Sequence, residues 1–187
     1  AGAGVYISDV LGSAFGPALQ QLFADHDEAV FDYLSFRRDM EGLAAERATR
    51  FASDTDLAVI QTVFDKMQSA HSKRSPEEEA ALDAQFHMAI IEASHNIVML
   101  HMMRSIFDLL SDGVFYNRQV MFKQRLTRGA LLDQHRAIND ALQNRDAKGA
   151  RAAIEAHLDF VEGSLRDHRR TEHNEAIARQ RLEHEAR

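Results

Sequence analysis

Cysteine is absent from the chain, which excludes a disulfide framework and any metal site built on thiolates. The absence fits a reducing compartment without requiring one. Proline occurs only twice and glycine is scarce beyond Gly16, so long helices meet few interruptions. No apolar run approaches the roughly 20 residues that a membrane-spanning helix needs. The N-terminus lacks the basic start and apolar core of a signal peptide. Together these absences make the cytoplasm the simplest location. Positive charge is also in deficit, with 22 Lys and Arg against 29 Asp and Glu and a net charge of -7. Phosphate binding wants a basic face, so this segment is not expected to grip nucleic acid by itself.

What is present is ordinary for a soluble globular chain: 45% hydrophobic and 27% charged residues. The 187 residues suit one domain, or one domain and a tail. A domain of ~150 residues buries roughly 70% of its unfolded surface, enough for a core without staples.

The opening Ala1-Gly2-Ala3-Gly4-Val5-Tyr6-Ile7-Ser8 suggests a tight turn feeding a short strand with nothing to pair with. Residues 9–26, with Gly12, Gly16 and Pro17, read as a linker. From Asp27 the pattern is helical. Val30, Phe31, Leu34, Met40, Leu43 and Ala44 predict a helix to about Phe51, with Asp27 as its cap. Ser53-Asp54-Thr55-Asp56 caps the next, whose face is Leu57, Ile60, Phe64 and Met67 and which ends near His71. Ser75-Pro76-Glu77-Glu78 is the clearest start signal. Ser75 caps, Pro76 takes the first helical position, and Glu78 completes a capping box for a helix to about Ser94. Residues 97–115 are apolar on more than one face, which predicts a central helix. Residues 117–128 read as bent or broken, and helices from about Gly129 to Gln143 and Ala147 to Leu165 flank the turn Asn144-Arg145-Asp146. Residues 167–187 form a charged tail, a solvated helical extension or a frayed end. The fold class is all-α, an antiparallel bundle of six or seven helices over residues 27–166.

Chemistry concentrates on Asp83 and His87, four residues apart in a strong helical pattern and so on one face, one turn apart. His135 lies about ten residues before the 144–146 turn and His157 about twelve after it. In an antiparallel hairpin with ~1.5 Å rise per residue the two come level. A helix bearing Asp83 and His87 then completes a bundle site in a central cavity. One carboxylate and three imidazoles suit a divalent transition metal such as Zn, Ni, Mn or Fe. Four protein ligands close a tetrahedral Zn but leave two positions open on an ion that prefers six. The bland alternatives are a helix-stabilising Asp–His pair and histidines that merely pack. His26, His71, His95, His101, His168, His173 and His184 lie at helix ends, in connections or in the tail, and are read as structural or solvated.

These residues resemble the C-terminal effector domain of the FadR-type branch of the GntR superfamily of bacterial transcription regulators, over roughly Leu22 to Leu165. The resemblance is carried by Phe36-Arg37-Arg38-Asp39-Met40-Glu41, the Ala44 to Ala48 run, Asp83-Ala84-Gln85-Phe86-His87, His95-Asn96, Gln134-His135-Arg136-Ala137-Ile138, and Ala152 to Leu158. In metal-binding members an Asp-x3-His pair and two later histidines hold the ion, positions that fall here on Asp83, His87, His135 and His157. Gly2 to Ile7 resembles the last strand of the wing in the family's winged-helix DNA-binding domain. This implies that DNA is contacted only through a domain preceding this segment. The resemblance further implies a homodimer and a small carboxylate effector, lactate- or pyruvate-like, bound at the metal. Arg37 is the best match to an arginine that helps hold that ligand by a bidentate clamp, although Ser35 stands where the family usually has an acidic residue.

The expectation is a ligand-sensing, dimerising module of a transcription regulator, with no enzymatic activity and no membrane partner. The rival from another class is a metal-dependent hydrolase acting through a metal-bound water. It needs a general base beside the ion, for which the ligand-bearing helices offer Glu92 and Glu155. A third reading is a metal that only pins helices together.

Overall fold

The computed structural model describes residues 21, 22, 25, 26, 28–111 and 125–186. The proposed wing remnant at 1–8, most of the 9–26 linker, Asp27, and the segment 112–124 lie outside the described residues.

Six helices make up the described residues: α1 (Ala29–Phe51), α2 (Asp54–Lys73), α3 (Pro76–Ala93), α4 (Ile97–Ser111), α5 (Arg125–Gln143) and α6 (Ala147–Glu185). The all-α expectation holds. Local chemistry explains the boundaries. At α2, Ser53 and Asp56 form a full reciprocal capping box. At α3 only half of the expected box forms: Ser75 accepts from the Glu78 backbone, while the Glu78 carboxylate lies 3.8 Å from Lys73 Nζ. Asp146 caps α6 through the Gly149 backbone. Arg74, His95 and Arg145 take positive φ just past α2, α3 and α5, each reversing the chain in the left-handed conformation that glycine usually supplies.

The helices α2/α3 and α5/α6 are hairpins closed by two-to-three-residue turns, and α1 lies along α6 and α3. Ala44, Ala45 and Ala48, all fully buried, let α1 approach its neighbours closely. The largest core cluster takes Ile60, Phe64 and Met67 from α2, Phe86 and Ile90 from α3, Ile138 and Leu142 from α5, and Ile154 and Leu158 from α6. With Ala45, Ala48 and Ala52 of α1 in the same cluster, five helices wrap the level at which Asp83, His87, His135 and His157 sit.

Two expectations are corrected or sharpened. The helix from Ile97 is not central. It buries Met99, Met103 and Phe107 against α1 and α3 but leaves Ile97, Val98 and Met102 more than half exposed. Being apolar on several faces therefore does not mean being enclosed in this single chain. The tail resolves in favour of the helical extension, since α6 continues unbroken to Glu185. Beyond Leu165 it carries no buried residue and projects about 30 Å at 1.5 Å per residue. Arg166 and Arg169 at its base stack on the Phe31 ring at 3.8 and 5.0 Å.

Candidate metal centre

The helix α3 turns Asp83 and His87 inward because Leu82, Phe86 and Ile90 on the same side form the core. His135 and His157 come level across the α5/α6 hairpin, with ring centroids 4.5 Å apart. Asp83, His87, His135 and His157 are all buried, and each offers one ligand atom within 4.8 Å of every other. Asp83 Oδ1 lies 3.1 Å from His135 Nε2 and 3.8 Å from His87 Nε2. The two Nε2 atoms of His87 and His135 are 3.4 Å apart. Donors held ~2.0–2.1 Å from one tetrahedral ion stand roughly 3.3 Å from each other, so the shorter spacings already match. The wider ones reach 4.8 Å.

The outer nitrogen of every imidazole faces an acceptor. His135 Nδ1 donates to the Leu131 carbonyl at 2.7 Å. His157 Nδ1 donates to Gln134 Oε1 at 2.9 Å. His87 Nδ1 lies 2.5 Å from Glu41 Oε2. Protons on the three Nδ1 atoms leave the three Nε2 atoms as acceptors facing inward. Lone pairs gathered with a carboxylate oxygen in a buried space repel one another unless a cation sits among them. The donor set therefore fits a divalent ion.

Electrostatics favour the same state. Burial pushes His157 well below its ordinary value, and His135 and His87 push it further, outweighing Asp83. Burial also lowers His87, against the opposing pull of Glu41 and Asp83. Both are neutral imidazoles at pH 7, the form that can ligate a metal.

Arg37 is not a surface arginine. It is 3% exposed, its Nε donates to Glu41 Oε1 at 2.5 Å, and its guanidinium lies 4.7 Å over the Phe107 ring. Burial opposes its charge, but Glu41, Tyr33 and Asp83 more than compensate and hold its pKa above the ordinary arginine value. Burial likewise disfavours the Glu41 anion, yet Arg37 and His87 outweigh it and bring that carboxyl down to about 2. Sequence reasoning placed Glu41 and Gln134 in family motifs without a role for either. Their i,i+4 relation to Arg37 and adjacency to His135 were visible, but their contacts with His87 and His157 cross between helices.

The two candidate bases are engaged elsewhere. Glu92 bonds Arg104 at 2.8 Å and Glu155 bonds Arg151 at 2.8 Å. Among the remaining histidines, His95 pairs with Asp56 at 2.9 Å and His71 with Glu79 at 3.3 Å, both at helix ends as expected. Glu79 is itself buried and receives Arg128 Nε at 3.0 and 3.1 Å, which ties the start of α5 to α3.

Comparison with known proteins gives a consistent family. The FCD domain matches residues 32–160. The chain is 38% identical over 148 residues to the Escherichia coli protein named "Putative L-lactate dehydrogenase operon regulatory protein", covering 79% of this chain and 56% of that one. It is 31% identical over 153 residues to the Glc operon transcriptional activator of Escherichia coli, covering 80% and 60%. It is 27% identical over 165 residues to the HTH-type transcriptional regulator LutR of Bacillus subtilis, covering 88% and 74%. Among solved structures, E. coli McbR/YncC aligns with a TM-score of 0.62 at 19% identity over 74% of this chain and 65% of that one. A Streptococcus agalactiae GntR structure aligns with a TM-score of 0.61 at 21% identity over 74% and 60%. These two likenesses show the fold. The chain spans less than two thirds of the first two relatives' length.

Proposed function

Because the chain belongs to the FCD domain family of GntR-type transcription regulators, we propose that it senses a small organic acid at a protein-held divalent metal. Its relatives are named as regulators, so it is a regulatory domain and not an enzyme. The observation that carries the metal reading is the buried convergence of Asp83, His87, His135 and His157, with all three outer imidazole nitrogens facing acceptors. A divalent ion there supplies Lewis-acid positions to a carboxylate. Arg37, buried beside Glu41, supplies a fixed positive charge toward the same anion. The name of the lactate-operon relative supports a small hydroxy acid as the effector class.

The effector acts by favouring one arrangement of the helices, which requires tighter binding to that arrangement than to the other. The response passes to a DNA-binding domain outside this segment. A second copy of the chain completes the regulator, and the exposed Ile97, Val98 and Met102 on α4 are the surface proposed for that pairing.

Calorimetric titration of the metal-loaded protein with lactate, pyruvate and glycolate tests the sensor. Saturable heat from at least one acid, lost together with the metal in His135→Ala, is the expected result. No heat from any acid, with metal content unchanged in His135→Ala, overturns it. Metal uptake that raises thermal stability without acid binding assigns the ion a purely structural role.

A further inference from the structure

Glu41 stands where two buried systems meet. Its side chain is 1% exposed, and its two oxygens are divided: Oε1 accepts from Arg37 Nε at 2.5 Å, and Oε2 lies 2.5 Å from His87 Nδ1. It belongs to α1 while His87 belongs to α3, so the carboxylate spans the crossing of the two helices. We propose that Glu41 is a positioning residue for the metal centre, one that dictates which nitrogen of His87 carries the proton and ties that choice to the placement of Arg37.

Hydrogen-bond inventory fixes the tautomer. An ionised carboxylate only accepts. Facing it, His87 must keep its proton on Nδ1, and the lone pair on Nε2 is then directed at Asp83 and His135. Arg37 secures the other oxygen, so the carboxylate cannot rotate away from His87 without abandoning a buried guanidinium. His135 and His157 rely on neutral acceptors, a carbonyl and an amide. Only His87 among the three faces a charged acceptor, so the carboxylate's charge is what holds a proton on its Nδ1.

Glu41→Gln discriminates this role from simple packing, because it keeps the shape and changes the inventory. A glutamine amide has one oxygen and one NH2. If the oxygen stays with Arg37, the NH2 faces His87 Nδ1, and His87 must move its proton to Nε2, aiming a hydrogen into the metal site. If the oxygen turns to His87, Arg37 Nε–H meets the NH2 instead.

Two measurements decide it. In the metal-free protein, long-range 1H–15N correlation of the histidine rings reports the tautomer directly. His87 is expected with its proton on Nδ1 in the wild type and shifted toward Nε2 in Glu41→Gln. Competition titration with Zn or Ni is expected to show affinity at least tenfold lower in Glu41→Gln, within the 10–100-fold range of such outer partners. The apo melting profile is expected to remain cooperative. Wild-type His87 protonated on Nε2 overturns the proposal, as does a metal-affinity loss below tenfold. The inference rests on the metal reading of the site, and its failure is separable from that reading's. A wild-type protein that takes up no Zn or Ni sinks the metal, whereas the tautomer spectrum of the same sample still decides Glu41. Where Glu41→Gln does not fold, a wild-type His87 proton on Nε2 still overturns the proposal.

Discussion

His135→Phe isolates the ligand from the packing around it. The ring of His135 is fully buried and meets Phe86 edge-on at 5.3 Å, so phenylalanine fills similar space but offers no lone pair. Metal content measured by mass spectrometry is expected to fall to background while the fold persists. Retained metal would remove His135 from the site. The neutral histidines also set a pH dependence for the metal-free domain. His157 and His87 titrate below their ordinary value of 6.5 when folded. Between that value and the lower folded one the unfolded chain binds more protons, so stability drops as pH falls below about 6.5. Denaturant midpoints at pH 7.5, 6.5 and 5.5 are expected to decline across the last interval. A flat profile would mean that these imidazoles titrate normally in the fold. Glu41, lowered to about 2 from 4.5, has the same sign further down: its contribution is complete above pH 4.5 and is lost as pH falls toward 2.

At the scale of the element, the turns after helices carry the clearest untested strain. Arg74 holds φ 60° at the end of α2, a conformation that costs a non-glycine residue roughly 1–2 kcal/mol. Glycine relieves it but loses more freedom on folding, so Arg74→Gly is expected to stabilise by about 0.5–1 kcal/mol. Urea denaturation reads this, and an unchanged or lower midpoint would refute it. Arg145 also has positive φ, yet it bonds the Ala52 carbonyl at 2.9 Å and Asp54 at 2.9 Å, so the same substitution there is expected to destabilise. Much at this scale was legible in the chain. Ser75-Pro76 announced α3, and the spacing of Asp83, His87, His135 and His157 announced the cluster, because helical period and hairpin symmetry are local rules. Glu41 with His87 and Arg128 with Glu79 were not legible as pairs. Each joins residues 46 or more apart whose meeting depends on how helices cross, which no periodicity encodes. The position of α4 was misread for a related reason: a hydrophobic face records that something covers it, not whether the cover is the same chain.

At the scale of the whole molecule, the outer half of α6 makes little contact with the bundle. Truncation after Arg170 keeps the stacking of Arg166 and Arg169 on Phe31 and removes residues that are almost wholly exposed. Its melting temperature and metal affinity are expected to equal those of the full chain, and a fall of several degrees would show that the rod braces the body. The apolar face of α4 makes the opposite kind of prediction. Val98→Glu, at a position 63% exposed, costs the single chain little. It is expected to abolish the proposed pairing, with light scattering reading a monomer. A variant that remains dimeric would place the pairing surface elsewhere.

The inward-facing imidazoles are braced from behind by a carboxylate on α1 and by a carbonyl and an amide on α5. A receptor prepared in that way has little left to rearrange when it takes up a cation. Metal occupancy alone would then be a nearly silent event, loading the instrument without sounding it. Under the proposed sensing role, motion that reaches the outside of the bundle would then have to come from the anion.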